Sequence, residues 1–575
     1  MGALFVTRDG DAALASARAG FSRQGFTDFT ELAIPGWRAL HMPYIVGGPD
    51  LLLRDGDDFA AVAGTLVADG RTGRPALDAL MRMMDDGTPD WSRLGGQFAA
   101  LVRRRGRSFL FCDWFAHFQL FRDSDDRLFS TSLLAAAELL PRLSFDAQGV
   151  YEFAFNVTAL GDDTVLEQVK LLGPDVMLEL TPDGVVRHPL SKPLPEPAPL
   201  TPAERLDRHR AALDEVLAPH LRDDAHVHCP LSGGLDSRLL LAAVRRLGAD
   251  PSVYVYGPPG SADVRVARAV GDALGFAVEW IDKQAAPIAP DAFPAMVAHN
   301  FHENDGMPTF GNIFDNGGHL RARDARHAHG WPIASGGGGE VYRDFFYLPD
   351  RPFGAEAVAR TFFARFLRTD ATELFDPRLF IERIRDKILD ALGRPGDRAP
   401  LPRSVVEQIY PRFRCRALFG REISLEARHS PYLLPFLEPR VVAETAELPP
   451  ALRRAGRFEA QLLHAIDPEL AAQPSAYGHH FAGPPSRRHR LQEWSSRVRP
   501  VWLRQRSYAL HRRRGPVTDE HGGLLDPDYL GRVIDLDYPA MRRFFHVERV
   551  ADHGLLRRIA CLEYLAAQLG SRLSG

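Results

Sequence analysis

In the first 187 residues apolar positions come as short runs or alternate with polar ones, and Gly and Asp turns cut them apart. Phe98–Arg103, Ser108–Asp113, Gln119–Arg122 and Arg127–Ser130 are of this kind, and the pattern predicts short strands with a few helices. Beyond residue 200 the period changes. Thr201–Ala218 is helical in pattern, with Pro202 at the first helical position. His226–Leu231 is a short apolar run that predicts a buried strand. Ser232, Gly233, Gly234, Leu235, Asp236 and Ser237 form a turn, and Asp236–Leu247 has helical spacing with Gly248 placed to end it. Pro251–Gly257 predicts a second strand, Asp263–Leu274 a helix closed by Gly275, and Phe276–Asp282 a third strand. This alternation implies a parallel sheet with right-handed crossovers, and ligands bind such sheets beyond the carboxyl ends of the strands. Residues 401–470 are helical in pattern.

The two regimes are joined by HPLSKPLPEPAPLTP, residues 188–202, whose six prolines predict an extended linker. The expected domains are therefore 1–187 and 203–575, and 575 residues are long enough for both. A net charge of −4 shows no basic bias toward nucleic acid. Cys112, Cys229, Cys415 and Cys561 are scattered without CxxC spacing, which argues against disulfides or a zinc site and fits a reducing cytoplasm. The start, MGALFVTRDG, has no basic region leading into an apolar run, and no apolar run approaches the ~20 residues of a membrane span. A cytoplasmic protein without a membrane partner is expected. Of 70 basic residues only Lys170, Lys192, Lys283 and Lys387 are lysine. Base composition is the plain cause, yet it leaves no lysine after Lys387.

The turn at 232–237 carries the candidate chemistry. A glycine-rich turn between strand and helix presents free N–H groups at the positive end of the helix dipole, which suits phosphate. Glycines allow close approach, and Ser232 and Ser237 add hydroxyl donors. Asp236 cannot favour bare phosphate, so a metal ion bridging phosphates is its natural partner. The Walker loop is excluded, because GxxxxGK is absent here. SGGLDS instead resembles the pyrophosphatase loop of ATP-splitting enzymes that release AMP and pyrophosphate, such as asparagine synthetases. The resemblance implies an α/β chain with a C-terminal parallel-sheet ATP-pyrophosphatase domain. It implies ATP and Mg²⁺, with Leu231, Ser232, Gly233, Gly234, Asp236 and Ser237 around the nucleotide.

Leu94–Ser132 and Phe153–Leu180 look like the inner strands and closing segment of a class II glutamine amidotransferase domain, an N-terminal-nucleophile α+β sandwich. In that family the nucleophile is a cysteine directly after the initiator Met. Gly2 stands there, so the resemblance implies a domain kept without glutamine hydrolysis. YGPPGSAD, residues 256–263, matches the family segment at the adenine, implying Tyr256 and Gly257 as adenine-edge contacts and Asp263 as a helix cap. Ser261 and Asp263 read equally as caps alone.

In WPIASGGGGEVYRDFF an apolar strand leads to Ser335, Gly336–Gly339 and Glu340. Four consecutive glycines cost backbone entropy, for which a close ligand is the natural reason and a flexible surface loop the plain alternative. Asparagine synthetases read Ser-Gly-Glu-Gly, one residue, then Asp. Gly337 replaces that Glu, and Glu340 stands at the Asp. The resemblance implies Ser335 and Gly336 beside the nucleotide, and Asp236 and Glu340 as the pair holding Mg²⁺. Glu303 and Asp305 stand where the family has acids facing the substrate, which makes Glu303 a further catalytic candidate; a solvated loop is the alternative. Ser424–Leu452 resembles the family's SLExR…PFLD stretch. Gln473–Phe481 occupies the place of a lysine that stabilises amide formation, and His479, His480 or an arginine remain as substitutes. Arg487–Arg514 holds ten arginines against one acid, Glu493. It reads as a helical surface with Trp494, Trp502 and Tyr508 packed inward, as a docking face for an acidic or extended peptide, or, last, as a nucleic-acid face.

Together these parts imply ATP-dependent amide formation through an acyl-adenylate. Among members lacking the glutamine nucleophile, the chain resembles β-lactam synthetases and, most, lasso peptide macrolactam synthetases. The latter implies ring closure of a ribosomal precursor peptide between its N-terminal amine and an Asp or Glu side chain, with a leader-binding protein and a leader peptidase as partners. A small-molecule amide ligase, an ammonia-dependent asparagine synthetase and a non-catalytic scaffold of a biosynthetic complex are the other readings.

Overall fold

The computed structural model describes residues 2–192, 200–221, 225–284, 287–512 and 524–573, and residues 193–199 of the proline-rich linker lie outside them. The short strands of the first half build two six-stranded antiparallel sheets. One runs in the order Val169–Leu171, Phe121–Asp123, Leu128–Ser130, Ala3–Thr7, Trp37–Met42, Thr30–Ile34. The other runs Gly184–Pro189, Val176–Thr181, Arg107–Cys112, Phe98–Arg104, Asp58–Gly64, Leu52–Asp55. The sheets pack face to face. Helices Gly10–Ser22 and Leu133–Ala137 cover the first and Arg74–Met83 covers the second. A strand between two layers buries both faces, which is why ALFVT and most of DFAAVAG are apolar throughout rather than alternating.

Gly2 enters this sandwich where a side chain has no room. A Cβ there would sit 1.3 Å from the Met42 carbonyl oxygen. Cys112, inside the same sandwich, has its thiol pushed up to about 12 by burial, so it offers no thiolate.

The second half is built on a five-stranded parallel sheet. Its order is Val278–Ile281, Asp250–Tyr256, His226–Pro230, Ile333–Ala334, Tyr432–Leu433. The chain adds strands to one side of His226–Pro230 and then crosses to the other. The strand order therefore reverses between His226–Pro230 and Ile333–Ala334, and such a switch point opens a crevice at the strand ends. Helices Asp236–Arg246 and Ala262–Leu274 make the crossovers. Gly275 ends the second in the left-handed region at φ 75°. The helix Pro202–Leu217 starts with a capping box between Thr201 and Glu204. Tyr432–Leu433, a strand of two residues, leaves no periodic signal in the sequence.

Three buried contacts tie the halves together. Asp305 accepts from Ser132 Oγ at 2.5 Å and from the N–H groups of Leu133 and Leu134 at 2.8 and 3.0 Å, while Arg421 pairs with it at 3.0 Å. Glu438 accepts from Gly96 N–H at 2.8 Å and Gln97 Nε2 at 2.5 Å. Thr65 Oγ1 donates to the Tyr432 carbonyl at 3.1 Å. The C-terminal helix His553–Leu569 then packs back on Ala147–Asn156 of the first half.

Burial pushes Glu438 up from 4.5 to about 7. A raised carboxyl stabilises the fold while it is protonated and loses that contribution as pH rises from the unfolded value through the folded one. Urea unfolding should therefore show stability falling between about pH 4.5 and 7, and Glu438→Gln should flatten part of that slope. An unchanged slope in Glu438→Gln would remove this linkage. Gly2→Cys should lower the thermal midpoint and release no ammonia from glutamine, because the side chain meets backbone; ammonia that tracks the variant would contradict that.

Candidate active site

The two loops at the switch point come together. Leu231 ends its strand with its N–H on the Tyr254 carbonyl at 2.8 Å. Ser232 N–H donates to Ser237 Oγ at 3.0 Å, and Gly234 N–H donates to Ser232 Oγ at 3.2 Å, so the serines shape the turn from within. Asp263, expected as a helix cap, does something else: its carboxylate accepts Gly233 N–H at 2.7 Å. Ser261 caps that helix, accepting Val264 N–H at 3.4 Å.

The glycine run lies against the start of the helix Asp236–Arg246. A Cβ on Gly336 would stand 3.1 Å from Ser237 N, and one on Gly339 would stand 2.4 Å from Asp236 Oδ1. Close approach, rather than loop flexibility, accounts for the glycines.

Electrostatics decide how the acids are used. Arg343 binds both carboxylate oxygens of Asp236 and lies 3.3 Å from Glu459 Oε2. Asp236 is therefore not an uncommitted metal ligand, because a half-buried carboxylate takes a counter-charge from its own chain. Glu340 accepts from Tyr410 Oη at 2.6 Å. Tyr410 opens a π-helical turn, Tyr410–Cys415, of the sort found at functional sites. Glu459 is fully buried, and neither of its oxygens has a hydrogen-bond partner. Burial first, and the Asp236 charge next, push it well above the carboxylate range. Three carboxyl groups thus face one guanidinium. A divalent cation held by Asp236 and Glu340 fits that imbalance, provided Arg343 yields its hold on Asp236. Among the described residues no group of three or more His, Cys, Asp or Glu could hold a metal alone, so such an ion would draw other ligands from the polyphosphate.

Cavities flank the glycine loop. One of about 410 Å³ is lined by Tyr256, Gly257, Lys283, Ser335, Glu422 and Glu426, among others. Tyr256 carries Lys283 Nζ 3.7 Å over its ring, and the Gly257 carbonyl accepts Trp280 Nε1 at 3.0 Å. The expected adenine edge is thus in the cavity, but that carbonyl is already taken. Burial pushes Glu422 up to about 7. Burial also disfavours the Glu426 anion, yet Arg323 and Arg326, at 3.0 and 3.1 Å, hold it well below its usual range. A second cavity, about 600 Å³, is lined by Glu340, Arg343, Tyr347, Phe362, Tyr410, Glu493 and Arg504, with Phe310 common to both.

Glu303 does not join the site. It faces the first half, where a Cβ on Gly25 would meet its Oε1 at 3.3 Å, and the His429 ring, which burial keeps neutral, lies 3.9 Å from it. Asp305 is the interdomain acceptor described above. The Gln473–Phe481 segment does reach the loop: Ala476 N–H donates to the Gly233 carbonyl at 3.0 Å. His479 is a poor cation, since burial lowers its pKa. Arg343, whose Nη1 lies 3.4 Å from Tyr477 Oη, brings positive charge to this place instead. Arg343 stands three residues after Glu340 in GEVYR, the one sequence signal that could have found it; Glu459 leaves none in its amphipathic helix.

Gly339→Ala should therefore cost about 1–3 kcal/mol by overpacking and should weaken nucleotide binding. Gly354→Ala, at a position with open space around it, should leave both unchanged. Equal behaviour of the two variants in thermal unfolding and nucleotide titration would refute the close-approach account.

Residues 208–310 match the asparagine synthase family. No curated protein sequence matches the chain. Among solved structures, it is similar to the glutamine phosphoribosylpyrophosphate amidotransferase of B. subtilis complexed with ADP and GMP, at 11% identity and TM-score 0.24, over 49% of this chain and 90% of that one. It is also similar to a structure described as the allosteric regulatory enzyme of purine biosynthesis, at 12% identity and TM-score 0.23, over 44% of this chain and 65% of that one. The family match falls on the segment that carries SGGLDS and the strands beside it, and it supports the asparagine synthetase superfamily.

Proposed function

We propose that this chain is an ATP-dependent, AMP-forming carbon–nitrogen ligase that closes a macrolactam in a ribosomal precursor peptide. The observation that carries the ligase reading is the convergence of SGGLDS and the glycine run at the sheet's switch point, with Asp236 and Glu340 both flanking Arg343. ATP would lie with its adenine in the cavity at Tyr256 and its phosphates along the turn of residues 232–237 at the start of the helix Asp236–Arg246. Mg²⁺ held by Asp236 and Glu340 would supply charge neutralisation of the leaving pyrophosphate. The peptide's carboxylate would attack the α-phosphate and release pyrophosphate; its amine would then attack the acyl-adenylate and release AMP. Arg343, tethered by Glu459, would bring the positive charge that the family's lysine brings. The Tyr410–Glu340 bond orients one wall of the second cavity, where the peptide would enter.

The ring-closing reading rests on resemblance and on Gly2. A domain with no room for a nucleophile at that position supplies no ammonia, whereas a peptide brings its own amine and gains proximity from being folded in the cavity. We divide the chain as the sequence suggests, into an inactive amidotransferase-like domain, residues 1–187, and a synthetase domain, residues 203–575. We place it in the cytoplasm, with a leader-binding protein and a leader peptidase as partners. No helix among the described residues is long and apolar enough to cross a membrane.

The test is incubation with Mg·ATP and the precursor peptide encoded beside the gene, its leader removed. The product should be lighter by one water, with AMP and pyrophosphate in equal amounts. Asp236→Ala and Glu340→Ala should abolish AMP release, and Glu340→Asp should keep part of it. Changing the ring-forming Asp or Glu of the peptide to Ala should stop AMP formation itself. AMP formation driven by free aspartate and ammonia would replace this reading with that of an ammonia-dependent ligase.

A further inference from the structure

The arginine-rich segment forms two helices, Arg487–Val498 and Val501–Arg512. Their tryptophans do not pack inward. Leu491, Trp494 and Val498 are 64%, 55% and 51% exposed and lie on one face of the first helix. Trp502, at 56%, and Leu503, at 39%, are exposed on the second. At about 3.6 residues per turn, Arg488 and Arg490 fall on either side of this stripe, and both are exposed. Glu493 is turned away, accepting Ala455 N–H at 2.7 Å. The outward face is therefore a narrow apolar stripe edged by guanidiniums, and Glu493, the one carboxylate in the sequence between residues 487 and 507, is turned away from it.

The opposite side is anchored beside the catalytic loop. Arg497 pairs with Asp344 at 3.1 Å, and Arg504 donates to the carbonyls of Phe346 and Tyr347 at 3.0 and 2.5 Å. Glu493 and Arg504 also line the second cavity, which Glu340 and Arg343 line from the other end. The helices that carry the stripe thus border, by their other side, the cavity in which amide formation is proposed.

We infer that this face docks a polypeptide carrying both acidic and apolar side chains, and that this polypeptide is the substrate chain. Charge complementarity selects acidic residues, and a stripe one side chain wide suits an extended segment better than a bilayer, which takes a broad apolar face. Burying Trp494 and Trp502 supplies affinity, since large aromatics dominate docking energetics. The substrate assignment rests on the ligase reading; the docking surface does not.

The experiment separates the two. A fluorescein-labelled peptide of repeating Glu-Leu-Asp-Phe is titrated into the full chain without nucleotide and followed by anisotropy. It should bind, weaken with salt, and lose at least about tenfold in affinity in Arg488→Glu/Arg490→Glu and in Leu491→Ser/Trp494→Ser, with the thermal midpoint kept as the folding control. Binding unchanged in both variants would overturn the surface. Preference for phosphatidylglycerol vesicles over the peptide would make it a membrane contact, and self-association lost in Trp494→Ser would make it an interface between copies; either result overturns the proposal. With the precursor peptide and Mg·ATP, the same variants should raise KM and leave kcat unaltered. Peptide docking without any change in KM would overturn the substrate assignment and leave the ligase reading standing.

Discussion

The centre of this molecule depends on one half-buried guanidinium. Arg343 is clasped by Asp236 and stands beside Glu459. Burial penalises the Arg343 cation, yet the surrounding carboxylates hold its pKa well above the usual value. Removing it would leave the half-buried carboxylate of Asp236 without its counter-charge, a costly defect in a fold. If the proposed nucleotide binds here, a cation arriving with it would compete with a resident one, so loading would be an exchange of counter-ions rather than the filling of an empty seat.

Around this point the backbone is arranged for closeness. The glycine run lies on the first turn of the helix Asp236–Arg246, and the Gln473–Phe481 segment lies on the other side of the phosphate loop, meeting it at Gly233. Three stretches far apart in the chain thus meet where the parallel sheet changes direction. The sheet sets the place, the glycines set the distance, and the acids set the charge.

Much of this was legible beforehand. The change from alternating to helical period located His226–Pro230, Asp236–Arg246 and Ala262–Leu274 within a residue or so, because each buries one face and ends on a glycine or in a turn. SGGLDS and the glycine run were legible because their composition is costly unless something comes close. Orientation was not. Glu303 ends the helix Phe293–Glu303, and nothing local tells which way it looks; it looks at Gly25. Arg343 and Glu459 come from distant segments, so their pairing is a product of tertiary packing. Trp494 and Trp502 in a helical pattern suggest packing inward, and only the folded surface shows that they face out.

The contacts of Asp305, Glu438 and Thr65 bear on what kind of object the first half is. A domain that had merely lost its chemistry could drift in sequence or be shed. This one supplies the N–H groups of Leu133 and Leu134 to a fully buried carboxylate of the other half, and Gly96 and Gln97 to a second. The strand Tyr432–Leu433, at the edge of the parallel sheet, rests on Thr65 through its own backbone. The first half is thus a template against which the second half is cast. A gene split at the linker would have to produce both pieces together, and selection on the proposed activity would continue to be felt at residues that never meet a substrate.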